Sequence, residues 1–396
     1  MIWLCACLFI GVLDLAGQTW TGANGSNWGT STNWSPNAIP GNWASRGAIV
    51  YLNDTPGSNQ SITTGYDRQL SELQMTSSYD YTLNSGEIKF QHGPKTLSLN
   101  GSGDLILNTN TIFSGGGNGY IDADGPGVIT FNGNMAGHGG TVVNFIGSGE
   151  TVTNGTFGGN LALGGTGTNT FNGTFNGGST VTVTGGTNVI TSNIGGGATI
   201  EVNVSSGSLS IEGSIGGGAN IDVDNGQLAL SGTLGNGGSV SVQSGGTLLL
   251  EDGADLSGGG SNVELNGGTL AVTADSVEVY SLTLSADSTI DLLDDPDADI
   301  YLGNINGGGV VNIINYRDTQ QVTYNPGGSS IDVPTQFFFD GVPAQVIDDN
   351  RIVPGISPIP EPGTIVFGIA LTSLAALHTW RRRKKQLSGR DESRLT

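Results

Sequence analysis

From about Phe131 to Thr273 the chain repeats one pattern: a short run of alternating apolar and polar residues, a glycine-rich turn, and a second alternating run. In Thr199-Ile200-Glu201-Val202-Asn203-Val204, and again in Asn220-Ile221-Asp222-Val223-Asp224, a β-branched residue stands at every second position. An extended segment of this kind has one apolar and one polar face, with Val223 facing inward and Asp222 outward. Met135, Phe157, Phe175, Ile194, Ile215, Leu234 and Leu256 mark the same phase of successive copies, at spacings of 22, 18, 19, 21, 19 and 22 residues. About twenty residues make one coil of a parallel β-helix, in which two or three short strands are joined by tight turns. The predicted fold is all-β, a right-handed parallel β-helix whose core is built by stacking each inward Ile, Val or Leu on its counterpart in the next coil. A disordered glycine-rich linker has no reason to keep apolar residues in this register for over a hundred residues.

The punctuation agrees with this reading. Glycine supplies 68 of 396 residues, and its clusters fall at corners, where they are expected to provide positive φ. No proline occurs between Pro126 and Pro296, as strands that donate amides on both sides require. Trp20, Trp28, Trp34 and Trp43 lie within 24 residues ahead of the repeats. A solenoid must close its open first coil, and large aromatic side chains suit that task; the alternative is an exposed platform on which sugar rings stack. Val310 to Ile314 and Phe337 to Phe339 read as strands closing the far end, and the fold is expected to stop near Val353. The organisation is therefore a signal peptide over 1–17, an N-terminal cap and first coils over 18–130, repeats and a C-terminal cap over 131–353, a proline-rich linker over 354–362, a membrane-spanning helix over 363–380 and a basic tail over 381–396.

The flanks carry the export chemistry. Met1 to Leu13 is an apolar run that reads as the core of a secretory signal although no basic residue precedes it, and Leu15-Ala16-Gly17 offers a small-residue cleavage site. Both cysteines, Cys5 and Cys7, lie inside that run, so the mature chain has neither a disulfide nor a thiolate nucleophile. Thr364 to Trp380 is 17 residues without Asp, Glu, Lys or Arg, about 26 Å as a helix, enough for a short transmembrane span. Arg381, Arg382, Arg383, Lys384 and Lys385 follow it and hold that end on the cytoplasmic side. Pro360-Glu361-Pro362 stands directly before the span.

This order of Pro-Glu-Pro, hydrophobic span and arginine-rich end resembles the PEP-CTERM sorting signal. The resemblance implies that Pro360, Glu361 and Pro362 are recognised by an exosortase-type membrane enzyme, that the C-terminal helix is a transient inner-membrane anchor, and that the body is released to the cell surface or extracellular matrix of a Gram-negative bacterium. Eleven residues follow Lys385, a longer tail than is common in that family. The opening Trp-Thr-Gly followed by two Asn-Trp pairs is similar to secreted β-helical proteins with autotransporter-type passenger repeats.

Charge narrows the chemistry of the body. Of 13 Lys and Arg, seven lie beyond Trp380; six remain before it against 32 carboxylates, a formal charge of −26, while the tail carries +5. Such a body repels nucleic acid and anionic lipid. The 221 residues between Lys95 and Arg317 contain no Lys or Arg, so no arginine-assisted anion site can be built there. His92, His138 and His378 are far apart and lack metal-ligand spacing. The best small-ligand candidate is calcium: Asp295, Asp297 and Asp299 alternate as oxygen ligands of a hard cation do, although Ile300 stands where a turn glycine would be. Asp122-Ala123-Asp124-Gly125 is a weaker echo. The sequence thus reads as a non-enzymatic adhesive or structural protein with no obligatory cofactor. The alternative is a carbohydrate-active or sugar-binding β-helix displayed by the same signal, with extracellular polysaccharide as partner.

Overall fold

The alternation of the sequence becomes three parallel ladders wound by one chain. A computed structural model describes residues 17–355 except 43–46, 294 and 348–349, and except the side chains of 205, 206 and 334. The signal segment, Trp43, the Pro-Glu-Pro motif, the apolar span and the basic tail lie outside the described residues. The chain divides into two units, Met1–Val353 and Pro354–Thr396, and of the second only Pro354 and Gly355 are described.

The first unit is a β-solenoid of about 13 turns. The first ladder starts at Gln60–Thr63 and passes through Tyr81–Asn84, Leu105–Leu107 and Val128–Phe131 toward Phe337–Phe339. The second starts at Gln18–Trp20 and Ala48–Leu52 and ends in Ile300–Gly307. In the third, Arg68–Met75, Glu87–Phe90, Asn110–Phe113 and Met135–Gly137 pair in turn. Further on, the third ladder narrows to single bridges, Phe157 to Phe175, Phe175 to Ile194, Ile194 to Ile215 and Ile215 to Leu234. The residues that mark the sequence repeat are therefore stacked one on another. Thr199–Ile211 and Asn220–Leu230 run through a corner, each serving the second ladder with its first half and the first with its last.

Inward side chains form continuous columns. In the second ladder Val183, Val202, Val223, Val242 and Leu265 are register partners in succession, and all are buried. A parallel stack spaced at about 4.8 Å puts each methyl group against its counterpart above and below, so burial accrues coil by coil. Single threonines, Thr111 and Thr153, interrupt two of the apolar columns, and one column departs from apolar stacking over three successive coils. Between Ile129 and Leu209 the first ladder points Thr151, Asn169 and Asn188 inward. Thr151 Oγ1 donates to Asn169 Oδ1 at 2.7 Å, and Asn169 Nδ2 donates to Asn188 Oδ1 at 2.8 Å, a run that satisfies its own buried polar atoms.

Glycine has two separate duties. Gly178, Gly197, Gly218 and Gly237 turn the chain into the second ladder with φ of 70 to 72°, and nothing lies within 4 Å of where their Cβ would be. Gly155, Gly173, Gly213 and Gly232 have no positive φ; a Cβ on any of them would sit 1.8 to 2.1 Å from a carbonyl oxygen of the preceding coil. The expectation of positive φ thus holds for the turn column, whereas close approach between coils explains the other.

Both ends are closed. Trp20, Trp28 and Trp34 are at most 1% exposed, their rings meet edge to face at 4.9 and 4.7 Å, and Trp28 Nε1 and Trp34 Nε1 donate to Pro40 O and Trp28 O. Trp34–Ser35 pairs antiparallel with Gln18–Trp20. At the far end Val342–Val346 and Arg351–Pro354 add antiparallel strands. Antiparallel edges end the parallel register and blunt further pairing.

Candidate functional site

The carboxylates that make the body acidic do structural work at the corners. Asp54 Oδ1 accepts from Ser78 N at 2.7 Å and Ser77 Oγ at 2.8 Å. Asp80 Oδ1 accepts from Asp104 N, Asp104 from Val128 N and Asp124 from Ser148 N, at 2.9, 2.9 and 3.1 Å. Asp252, Asp287 and Asp299 do the same for Asp275, Val310 and Gln321. In each case the carboxylate sits one coil before the amide that it receives, so it pins successive corners together through a charge-assisted bond. The Ser78 amide, and then the Ser77 hydroxyl, hold the Asp54 carboxyl below its ordinary value; the Ser257 hydroxyl, and then its amide, do the same for Asp255.

The calcium candidates fall into this scheme. Asp299 pins Gln321, and Asp295 Oδ1 accepts from Asp297 N at 3.1 Å within its own turn. Gln320 Nε2 and Thr319 Oγ1 from the next coil donate to Asp295 O and Pro296 O. Among the described residues no group of three or more His, Cys, Asp or Glu is arranged to hold a metal. Asp295, Asp297 and Asp299 thus take part in a hydrogen-bonded corner. At the weaker echo, burial first and the Asp124 charge second push the Asp122 carboxyl up, while Asp124 pins Ser148. Asp124, Pro126, Ser148, Glu150 and Thr168 line a shallow open depression there.

Uncharged polar side chains also run in rows. Asn108, Asn132, Asn154 and Asn172 each donate from Nδ2 to the Oδ1 of the asparagine one coil before, Asn84 through Asn154, at 2.7 to 2.9 Å. Thr191 extends the row. On the outward face of the first ladder, Thr168, Thr187, Ser208, Gln227, Thr247, Thr269 and Thr289 align in register.

Of the tryptophans expected either to cap or to bind sugar, the three described, Trp20, Trp28 and Trp34, are buried, as capping requires. Tyr280 and Tyr301 are partly open to solvent, and the most exposed aromatic ring among the described residues is Tyr66, 78% exposed, at the corner between Gln60–Thr63 and Arg68–Met75. Tyr66, Asp67 and Gln69 line a depression with Gly41, Gly65 and Gly86. Gln69 Oε1 is buried there without a hydrogen-bond partner. Arg68, between them in sequence, turns inward: Nη2 donates to Thr64 O at 2.6 Å, its guanidinium lies 5.8 Å from the Trp28 ring, and burial lowers its pKa. Sequence reading passed over this corner. Its one visible signal is Gly65-Tyr66-Asp67, an aromatic residue outside the alternating pattern between two strands.

Pro360, Glu361, Pro362 and Arg381 to Lys385 lie outside the described residues, and no helix among those described is long and apolar enough to cross a membrane. No family model, no curated protein and no solved structure matches the chain. The class defined by fold and surface is an all-β, parallel β-solenoid closed at both ends.

Proposed function

We propose that the chain is an exported, non-enzymatic β-solenoid that serves as an adhesive or structural element at the cell surface or in the extracellular matrix. The observation that carries this reading is the use of the polar surface: aspartates and asparagines are committed coil by coil to holding the stack together, in pins and rows, which is what a load-carrying repeat protein needs. The reading includes a right-handed winding sense, the expected hand of parallel crossovers. It includes delivery by the N-terminal signal and sorting at Pro360-Glu361-Pro362 by an exosortase-type enzyme, with Thr364 to Trp380 as temporary inner-membrane anchor. A spanning helix followed by five cationic residues does not leave the bilayer unaided, so release of the body requires a cut outside the membrane. A stiff Pro-Glu-Pro segment presents an unfolded backbone and one readable carboxylate to a protease cleft.

The test replaces Pro360, Glu361 and Pro362 together with Ala in a host that has the sorting enzyme. Export should persist while the protein accumulates in the membrane fraction. Normal release of that variant, or recovery of intact wild-type chain ending at Thr396 from the medium, overturns the sorting assignment.

A further inference from the structure

We propose that the corner from Gly65 to Gln69 is a saccharide-binding subsite that takes one sugar residue of a neutral glycan. The inference rests on the adhesive reading above and deepens it by naming the ligand class. Four observations converge.

Tyr66 is the most exposed large hydrophobic side chain among the described residues, at 78%, and none of their aromatic rings packs on it. An aromatic face left open beside a depression provides area for the apolar C–H face of a pyranose ring. The floor of that depression is backbone, because Gly41, Gly65 and Gly86 contribute no side chain to its lining. At Gly86 a Cβ would press within 2.8 Å of Tyr66 O and Thr64 Oγ1, so the corner is built to keep that floor low.

Gln69 Oε1 is a buried acceptor without a donor. Such an atom costs free energy, and rotation of the Gln69 side chain, which lines the depression, would let a ligand hydroxyl donate to it. The exposed Asp67 carboxylate offers two further acceptor oxygens at the same rim. Acceptors beside an aromatic face select a ligand that is rich in donors, as a sugar is. The sign of charge selects against uronates: Asp67 lies at the rim, and burial first and the Asp67 charge second push the neighbouring Glu87 carboxyl up, so a further carboxylate meets like charge there. A neutral hexose chain satisfies the acceptors without adding a like charge.

The test is affinity electrophoresis of the purified full-length chain through gels containing dextran or hydroxyethylcellulose as neutral probes and alginate as the acidic one. At least one neutral polymer should retard the protein, alginate should not, and about 0.5 M salt should change little. Tyr66→Ala should weaken retardation about tenfold, the worth of one stacked ring, whereas Tyr66→Phe should keep it and Asp67→Asn should weaken it. Because Tyr66 is exposed, its variants should melt with the wild type. Retardation by alginate alone, by no polymer, or equally in Tyr66→Ala overturns the subsite. The purified protein bypasses export, so a failure of sorting leaves this result standing, and a failure here leaves surface display untouched.

Discussion

Replacing Val223 by Asp tests the stacked column at its centre. Val223 is fully buried and lies in register between Val202 of the preceding coil and Val242 of the next. The substitution removes a side chain whose burial is worth about 1.5–3 kcal/mol and leaves an unpaired carboxylate among methyl groups, which costs about 3–5 kcal/mol when a buried charge has no partner. No Lys or Arg lies between Lys95 and Arg317, so none on the neighbouring coils can neutralise it. The adjacent Asp222 points outward, and its nearest polar contact is a long one, from Gln243 Nε2 at 3.4 Å; Asp222→Ser should stay within about 0.5 kcal/mol. Because each coil touches only its neighbours, damage should be greatest over the strands Thr199–Ile211 to Ser239–Gln243 and fade toward both caps. Urea unfolding followed by circular dichroism gives the total, and amide hydrogen exchange resolved along the chain gives the distribution. If Val223→Asp and Asp222→Ser shifted the midpoint alike, or if lost protection began at the caps, inward stacking of this column would be refuted.

Two further outcomes follow from the corners. Gly213→Ala places a Cβ 2.0 Å from Ser192 O and should cost about 1–3 kcal/mol by overpacking. Gly218→Ala, at φ +71° with open space around it, should cost only the left-handed strain of about 1–2 kcal/mol; denaturant midpoints that place Gly218→Ala as the more damaging would contradict the two duties assigned to glycine. The Asp54 carboxyl is depressed by the Ser78 amide and the Ser77 hydroxyl, so the folded chain binds its proton less readily than the unfolded chain. Its contribution is present above the ordinary value of 3.8 and is lost as pH falls from there through the lower folded value. Melting temperature should therefore drop less steeply in that acid window for Asp54→Asn than for wild type, and parallel curves would remove the pin from the account.

Much of the solenoid was legible because its determinants are local and periodic. Alternation in Thr199 to Val204 and Asn220 to Asp224 assigns faces without any knowledge of neighbours, and the roughly twenty-residue spacing of Met135 through Leu256 predicts which side chains meet. The proline-free stretch and the tryptophan cluster gave the interior and its cap. Calcium at Asp295, Asp297 and Asp299 was read from local spacing as well, and what spacing does not show is the set of hydrogen bonds these residues make. Gln321 draws the Asp299 carboxylate, and Asp297 its partner in the turn.

What the amino-acid sequence determined alone was the ladder: strand faces, period and polar surface depend on residues a few positions apart. Tertiary structure decided which polar side chains and glycines join one coil to the next, because coils of unequal length hide those partners. Thr168-Asn169-Thr170 reads as polar throughout, yet Asn169 turns inward, since Thr151 and Asn188 occupy the same column and complete its hydrogen bonds. Gly213 reads as a turn residue but is needed because Ser192 O lies beneath it. Trp28 and Tyr66 are both aromatic residues beside glycine, and their immediate neighbours do not say which ring is buried. Only the packed end of the stack separates them: the open first coil takes the tryptophan into its core, and the corner that follows leaves the tyrosine to solvent.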